Sequence, residues 1–162
     1  MNTIQPFKLS FLLLSLLLIS CGGKEQKRNS IYKNRSKTVE VDKTPASQKI
    51  DLSSKGVGPI TSVTLGAAID QQMATQGADI FNKMCTACHK PSKKFIGPPP
   101  KGILKRRTPE WIMNMILNPE NMVQKDPLAK ALLIEFNGSP MANQSLNEVE
   151  ARAILEYFRT LN

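Results

Sequence analysis

Cys85-Thr86-Ala87-Cys88-His89 is the stretch that organises this 162-residue chain. C-x-x-C-H is the attachment pattern of c-type haem, in which two thiols three positions apart form thioethers to the vinyl groups on one porphyrin edge. The adjoining histidine is then held beneath the iron as its proximal ligand. All five positions are filled. Other uses of the pair find little support. The chain has three cysteines and one histidine, too few for a Cys/His zinc site once the distant Cys21 is set aside. A redox dithiol belongs in a strand–helix–strand setting, and nothing beside the motif reads as strand. One covalent haem c, held by Cys85 and Cys88, is the expected cofactor.

The surrounding pattern is helical. From Asp70 the apolar residues take helical spacing, with Ile80, Phe81 and Met84 preceded by Met73 and Gly77, and this helix should run into the haem motif. Thr108-Pro109-Glu110-Trp111 opens another, with an N-cap threonine, proline at the first helical position and an acid in the first turn. Trp111, Ile112, Met115 and Ile116 give it an apolar face, and Asn118-Pro119 ends it. Asp126-Pro127 starts a short helix closed by Asn137-Gly138. Asn147 followed by Glu150 forms a capping-box start to a terminal helix, with Val149, Ala153, Ile154, Tyr157, Phe158 and Leu161 expected on its buried face. The fold class expected is all-α, a single helical domain over residues 70–162 built around the haem.

The preceding residues read as delivery and tether. Lys8 precedes a short apolar run, Leu9 to Ile19, which fits a secretory signal better than a membrane span. It closes on Leu18-Ile19-Ser20-Cys21, which resembles the bacterial lipobox. The resemblance implies a signal peptide over residues 1–20 and a lipid on Cys21, which would anchor the chain stably if several acyl chains are attached. Residues 24–55 carry nine Lys/Arg against four Asp/Glu and few large apolar side chains. Such a composition buries too little surface to offset its ordering entropy, so residues 21–55 are expected to form a flexible basic linker. Residues 56–69, more apolar and punctuated by Gly and Pro, are expected to lie against the domain as an extended arm.

From about Gly77 to Asn162 the chain resembles the class I c-type cytochromes. Gly77-x-x-x-Phe81-x-x-x-Cys85-x-x-Cys88-His89 matches their N-terminal helix, which crosses the C-terminal one at a small residue. Gly77 and Phe81 would then meet Tyr157 and Phe158. Ile96-Gly97-Pro98-Pro99 matches the family's Gly-Pro, and the resemblance implies that the Pro98 carbonyl accepts a hydrogen bond from His89 Nδ1–H and orients the imidazole. With no second histidine, the distal ligand is sought among six methionines beyond the initiator. Met141, in Gly138-Ser139-Pro140-Met141-Ala142-Asn143-Gln144, is the candidate, with Met122 next. The family's usual Met-Pro order is reversed here to Pro140-Met141.

His/Met ligation suits one-electron transfer, and no nucleophile or acid–base constellation stands elsewhere, so an electron carrier is expected rather than an enzyme. A peroxidase-like or gas-sensing protein with a displaceable distal ligand is the alternative. Net charge is +9, yet the basic residues are not interleaved with aromatics as in a nucleic-acid surface. Eight basic residues and no acidic one lie between Lys83 and Arg107, whereas from Thr108 onward acids outnumber bases seven to four. That asymmetry favours acidic redox partner proteins, a respiratory complex or a terminal reductase or oxidase. A fainter likeness over residues 101–161 to lipoprotein cytochromes of nitrous oxide reductase systems names one such partner. The expected setting is the bacterial cell envelope, at the outer membrane facing the periplasm, as a lipid-anchored monomer.

Overall fold

The computed structural model describes residues 43–162. The signal peptide, Cys21 and linker residues 21–42 lie outside the described residues. Five α-helices follow in order: α1 Gln71–Met84, α2 Pro109–Leu117, α3 Pro119–Lys125, α4 Pro127–Glu135 and α5 Glu148–Thr160, with a short 3₁₀ turn at Ile103–Lys105 before α2. Among the described residues there is no strand, only an isolated bridge between Asp51 and Arg107. No helix among them is long and apolar enough to cross a membrane.

Local chemistry explains where the helices start. Asp70 accepts from the Met73 amide at 2.9 Å, and Thr108 from the Trp111 amide at 3.1 Å. Asp126 accepts from the Ala129 amide at 2.8 Å. At α5 both halves of a capping box are present: Glu150 N–H donates to Asn147 at 3.0 Å, and Asn147 N–H to Glu150 at 2.9 Å. Pro119, expected only to end α2, also occupies the first position of α3. A proline there loses no intrahelical bond, so one residue stops one helix and starts the next.

The packing of α1 against α5 dominates the core. Ala74, Gly77 and Phe81 form the buried stripe of α1. A Cβ on Gly77 would overlap the backbone carbonyl of Ala153, so the close approach is to Ala153, one turn before the aromatic pair expected to receive it. Phe81 itself meets Tyr157 and Phe158, with ring centroids 5.4 and 5.8 Å apart. Val149, placed on the buried face by periodicity, is 76% exposed; it sits in the first turn of α5, before the buried stretch begins at Ala151. Glu156 is fully buried in α5, held by Arg152 at 2.6 Å, Arg159 at 2.5 Å and the Asp70 amide at 2.8 Å.

The flexible-linker reading fails for the last part of its span. Ser47 donates from its amide and hydroxyl to the Glu135 carboxylate at 2.8 and 2.6 Å. Ala46 is buried, and the Asp51 amide donates to Arg106 O at 2.9 Å. The reason is physical: this strap is held through backbone carbonyls and one small side chain, which leave no hydrophobic signature. Residues 56–69 follow it along the domain. Asn114, itself buried, accepts from the Ile60 amide and donates to the carbonyls of Lys55 and Ile60, each at 2.9 Å. Arg159 reaches the carbonyls of Gly66 and Ala68 at 2.7 and 3.2 Å.

Candidate haem site

α1 stops at Met84, and its hydrogen-bonding continues through the motif. Cys85 N–H donates to Phe81 O at 2.9 Å, His89 N–H to Cys85 O at 2.9 Å, and Cys88 N–H to Cys85 O at 3.1 Å. This continuation brings Cys85, Cys88 and His89 to the border of one cavity. Neither thiol is in a disulfide. Burial, and secondarily the neighbouring Cys88, pushes the free Cys85 thiol up to about 11.

The loop after the motif folds back over the imidazole. Gly97 N–H donates to Cys88 O at 2.8 Å, and Lys101 N–H to Pro91 O at 3.0 Å. His89 Nδ1 lies 2.8 Å from Pro98 O. A carbonyl only accepts, so this bond puts the ring proton on Nδ1 and leaves the Nε2 lone pair available to a metal. Proline supplies the carbonyl without an amide of its own to satisfy. Gly97 has a separate duty: a Cβ there would come within 2.8 Å of His89 Nδ1 and 3.0 Å of Nε2. The glycine lets backbone lie against the imidazole face.

The cavity spans about 1130 Å³, part of it open to solvent. Phe81, Trp111, Ile112, Met115, Leu132 and Phe136 are among its walls, with Met141 and Pro140 from the α4–α5 loop. Apolar walls, two thiols and an imidazole on one side and a thioether on the same cavity fit a covalently attached porphyrin. Met122, the second distal candidate, is not there. It is fully buried on α3, where its sulfur accepts from the Val57 amide at 3.0 Å and crowds Gly56. Cys21 lies outside the described residues. Sequence reasoning treated Arg106 and Arg107 only as part of a positive field, yet both border the cavity. Nothing in the local sequence marks them apart from the neighbouring lysines.

The cytochrome c family model matches residues 74–162. The chain belongs to the cytochrome c family. Among solved structures it is similar to a cytochrome c from Rhodothermus marinus, at 43% identity and a TM-score of 0.63, over 72% of this chain and 93% of that one. An engineered form of that cytochrome c is 42% identical, with a TM-score of 0.62 over 72% and 94% of the two chains. A further structure of the engineered protein, bound to a carbene intermediate, gives 42% identity and a TM-score of 0.60. No curated protein matches the chain. As a cytochrome c, the protein carries one covalently attached haem c at the Cys85/Cys88 pair, and its activity is haem-based electron transfer.

Proposed function

We propose that this cytochrome c is a membrane-tethered carrier of single electrons, with His89 and Met141 as axial ligands of the haem and an acidic redox protein as its partner. Haem supplies a one-electron couple at its iron; the chain's residues hold and shield it. The observation that carries the ligand assignment is the shared cavity. His89 borders it with its proton committed to Pro98, and Met141 borders it as well. Met122 does not border it, and its sulfur accepts from the Val57 amide. Two occupied axial positions favour electron transfer over ligand chemistry, and a thioether raises the potential relative to a second imidazole.

Partner choice rests on the surface at the cavity mouth. Ile96 borders the cavity and is exposed, as is its neighbour Phe95. Lys90 Nζ stands 5.0 Å from the Phe95 ring centre, and Lys94 Nζ 4.6 Å from that of Phe136. Apolar contact ringed by lysines suits an acidic docking face on a respiratory complex or a terminal reductase or oxidase, a nitrous oxide reductase among them. The tether reading rests on Cys21 and its preceding apolar run, and places the protein at the bacterial outer membrane, facing the periplasm. Because the strap is docked from Ser47, the reach of such a tether is set by residues ahead of it. Fractionation of cells expressing Cys21→Ser tests the anchor: release into the soluble periplasm supports it, and unchanged membrane association contradicts it.

A further inference from the structure

Arg107 is 3% exposed, and among the described residues no carboxylate lies within ion-pair distance of it. Its fork is filled by carbonyls instead. Nη2 donates to Ala46 O at 2.6 Å, and Nη1 to Arg106 O at 2.8 Å and to Lys49 O. The guanidinium centre stands 5.3 Å from the Trp111 ring, and the residue borders the haem cavity. A buried cation without an anion is costly unless something nearby compensates it. Asp51, Asp126 and Glu135 act on it only at longer range. Haem brings two propionate carboxylates of its own, so the cavity receives negative charge when the cofactor is bound.

Two of the three carbonyls that fix this cation belong to the strap. The strap in turn is fastened at Ser47 to Glu135, the last residue of α4, and at Asp51 to Arg106. Strap, cation and cavity wall therefore form one mechanical series, outside the thioether and imidazole attachments.

We propose that residues 46–51 are a tuning element: by fixing Arg107 at the cavity wall and keeping water from it, the strap raises the reduction potential of the bound haem. A fixed positive charge in a poorly solvated site disfavours the more positive, oxidised iron. Releasing the strap admits water, weakens that field and lowers the potential. Arg107 is thus a positioning residue, acting on the cofactor's electrostatics and not on electron delivery. The inference rests on the carrier reading for its purpose.

The test uses full-length holoprotein and two readouts, equilibrium redox titration and amide hydrogen exchange of residues 46–51. Ser47→Pro, which removes both the amide and the hydroxyl that hold Glu135 and leaves every charge in place, should speed strap exchange at least tenfold and shift the potential downward. Arg107→Gln should shift it downward as well, and adding Ser47→Pro to Arg107→Gln should produce no further shift. Arg107→Lys, which keeps the charge but loses the fork, serves if the glutamine variant does not fold; strap exchange should rise in it too. An unchanged or raised potential in the strap variant overturns the proposal, as do strictly additive shifts or a strap that remains protected. Absence of a reversible one-electron couple in the unaltered holoprotein would instead strike the carrier reading.

Discussion

A methyl group at Gly97 would press on His89 Nδ1 and Nε2 at 2.8 and 3.0 Å, while the same imidazole is tied to Pro98 O. The ring is gripped on one side by a hydrogen bond and on the other by bare backbone. Gly97→Ala must push the imidazole off this seat or break the bond, at a cost of about 1–3 kcal/mol. The expected outcome is a lower denaturation midpoint with an altered haem absorption spectrum, whereas a spectrum and midpoint like those of the unaltered protein would mean the loop yields freely. The Gly-Pro pair was legible in the sequence as a motif, but the steric duty of its glycine was not. That duty depends on where the loop returns, which the hydrogen bonds from Gly97 to Cys88 and from Lys101 to Pro91 decide.

At the scale of elements, α1 and α5 are locked by two devices of different chemistry. Gly77 faces the Ala153 carbonyl, and backbone cannot rotate away from an added methyl. Alanine gains about 1 kcal/mol in helix propensity, yet overpacking costs about 1–3 kcal/mol, so Gly77→Ala should lower the thermal midpoint. Glu156 supplies the second device. Burial alone would raise its carboxyl, but the hydrogen bonds from Arg152 and the Asp70 amide, with the charges of Arg152 and Arg159, outweigh burial and hold it below the usual 4.5. A depressed carboxylate stabilises the fold fully above its unfolded value and loses that contribution as pH falls through the folded one. Denaturant midpoints should therefore drop below about pH 4.5. Glu156→Gln should flatten that drop while costing about 3–5 kcal/mol near neutrality, since two arginines lose their partner. An undiminished acid-side drop in the variant would assign it to other carboxylates. Helix starts were readable because caps act within four residues, as Thr108, Asp126 and Asn147 show. The α3 helix was not, because Asn118-Pro119 carries a stop signal and a start signal at once. The outward turn of Val149 was missed because periodicity states which residues share a face and not where a neighbouring helix ends.

Across the described residues, the apolar cavity takes its walls from several short helices and from the packed α1–α5 pair, with lysines standing beside it. The all-α class and the haem motif could be read directly, because both are local patterns. The strap could not, since Ala46, Lys49 and Asp51 contribute mainly backbone groups that any residue offers. Charge at the mouth makes a quantitative expectation. With an acidic partner, the second-order electron-transfer rate should fall steeply between low and physiological salt, and Lys90→Glu with Lys94→Glu should slow it by about tenfold or more at low salt. A salt-insensitive rate would remove steering from the account.

The most direct measurement of the central claim is the absorption spectrum of the oxidised and reduced holoprotein, with and without carbon monoxide, beside that of Met141→Ala. A His89/Met141 carrier predicts the weak long-wavelength thioether–iron band in the oxidised protein and no carbon monoxide shift in the reduced one. In Met141→Ala the band should vanish and carbon monoxide should bind. Ready carbon monoxide binding by the unaltered protein, or a Met141→Ala spectrum identical to it, would contradict the claim.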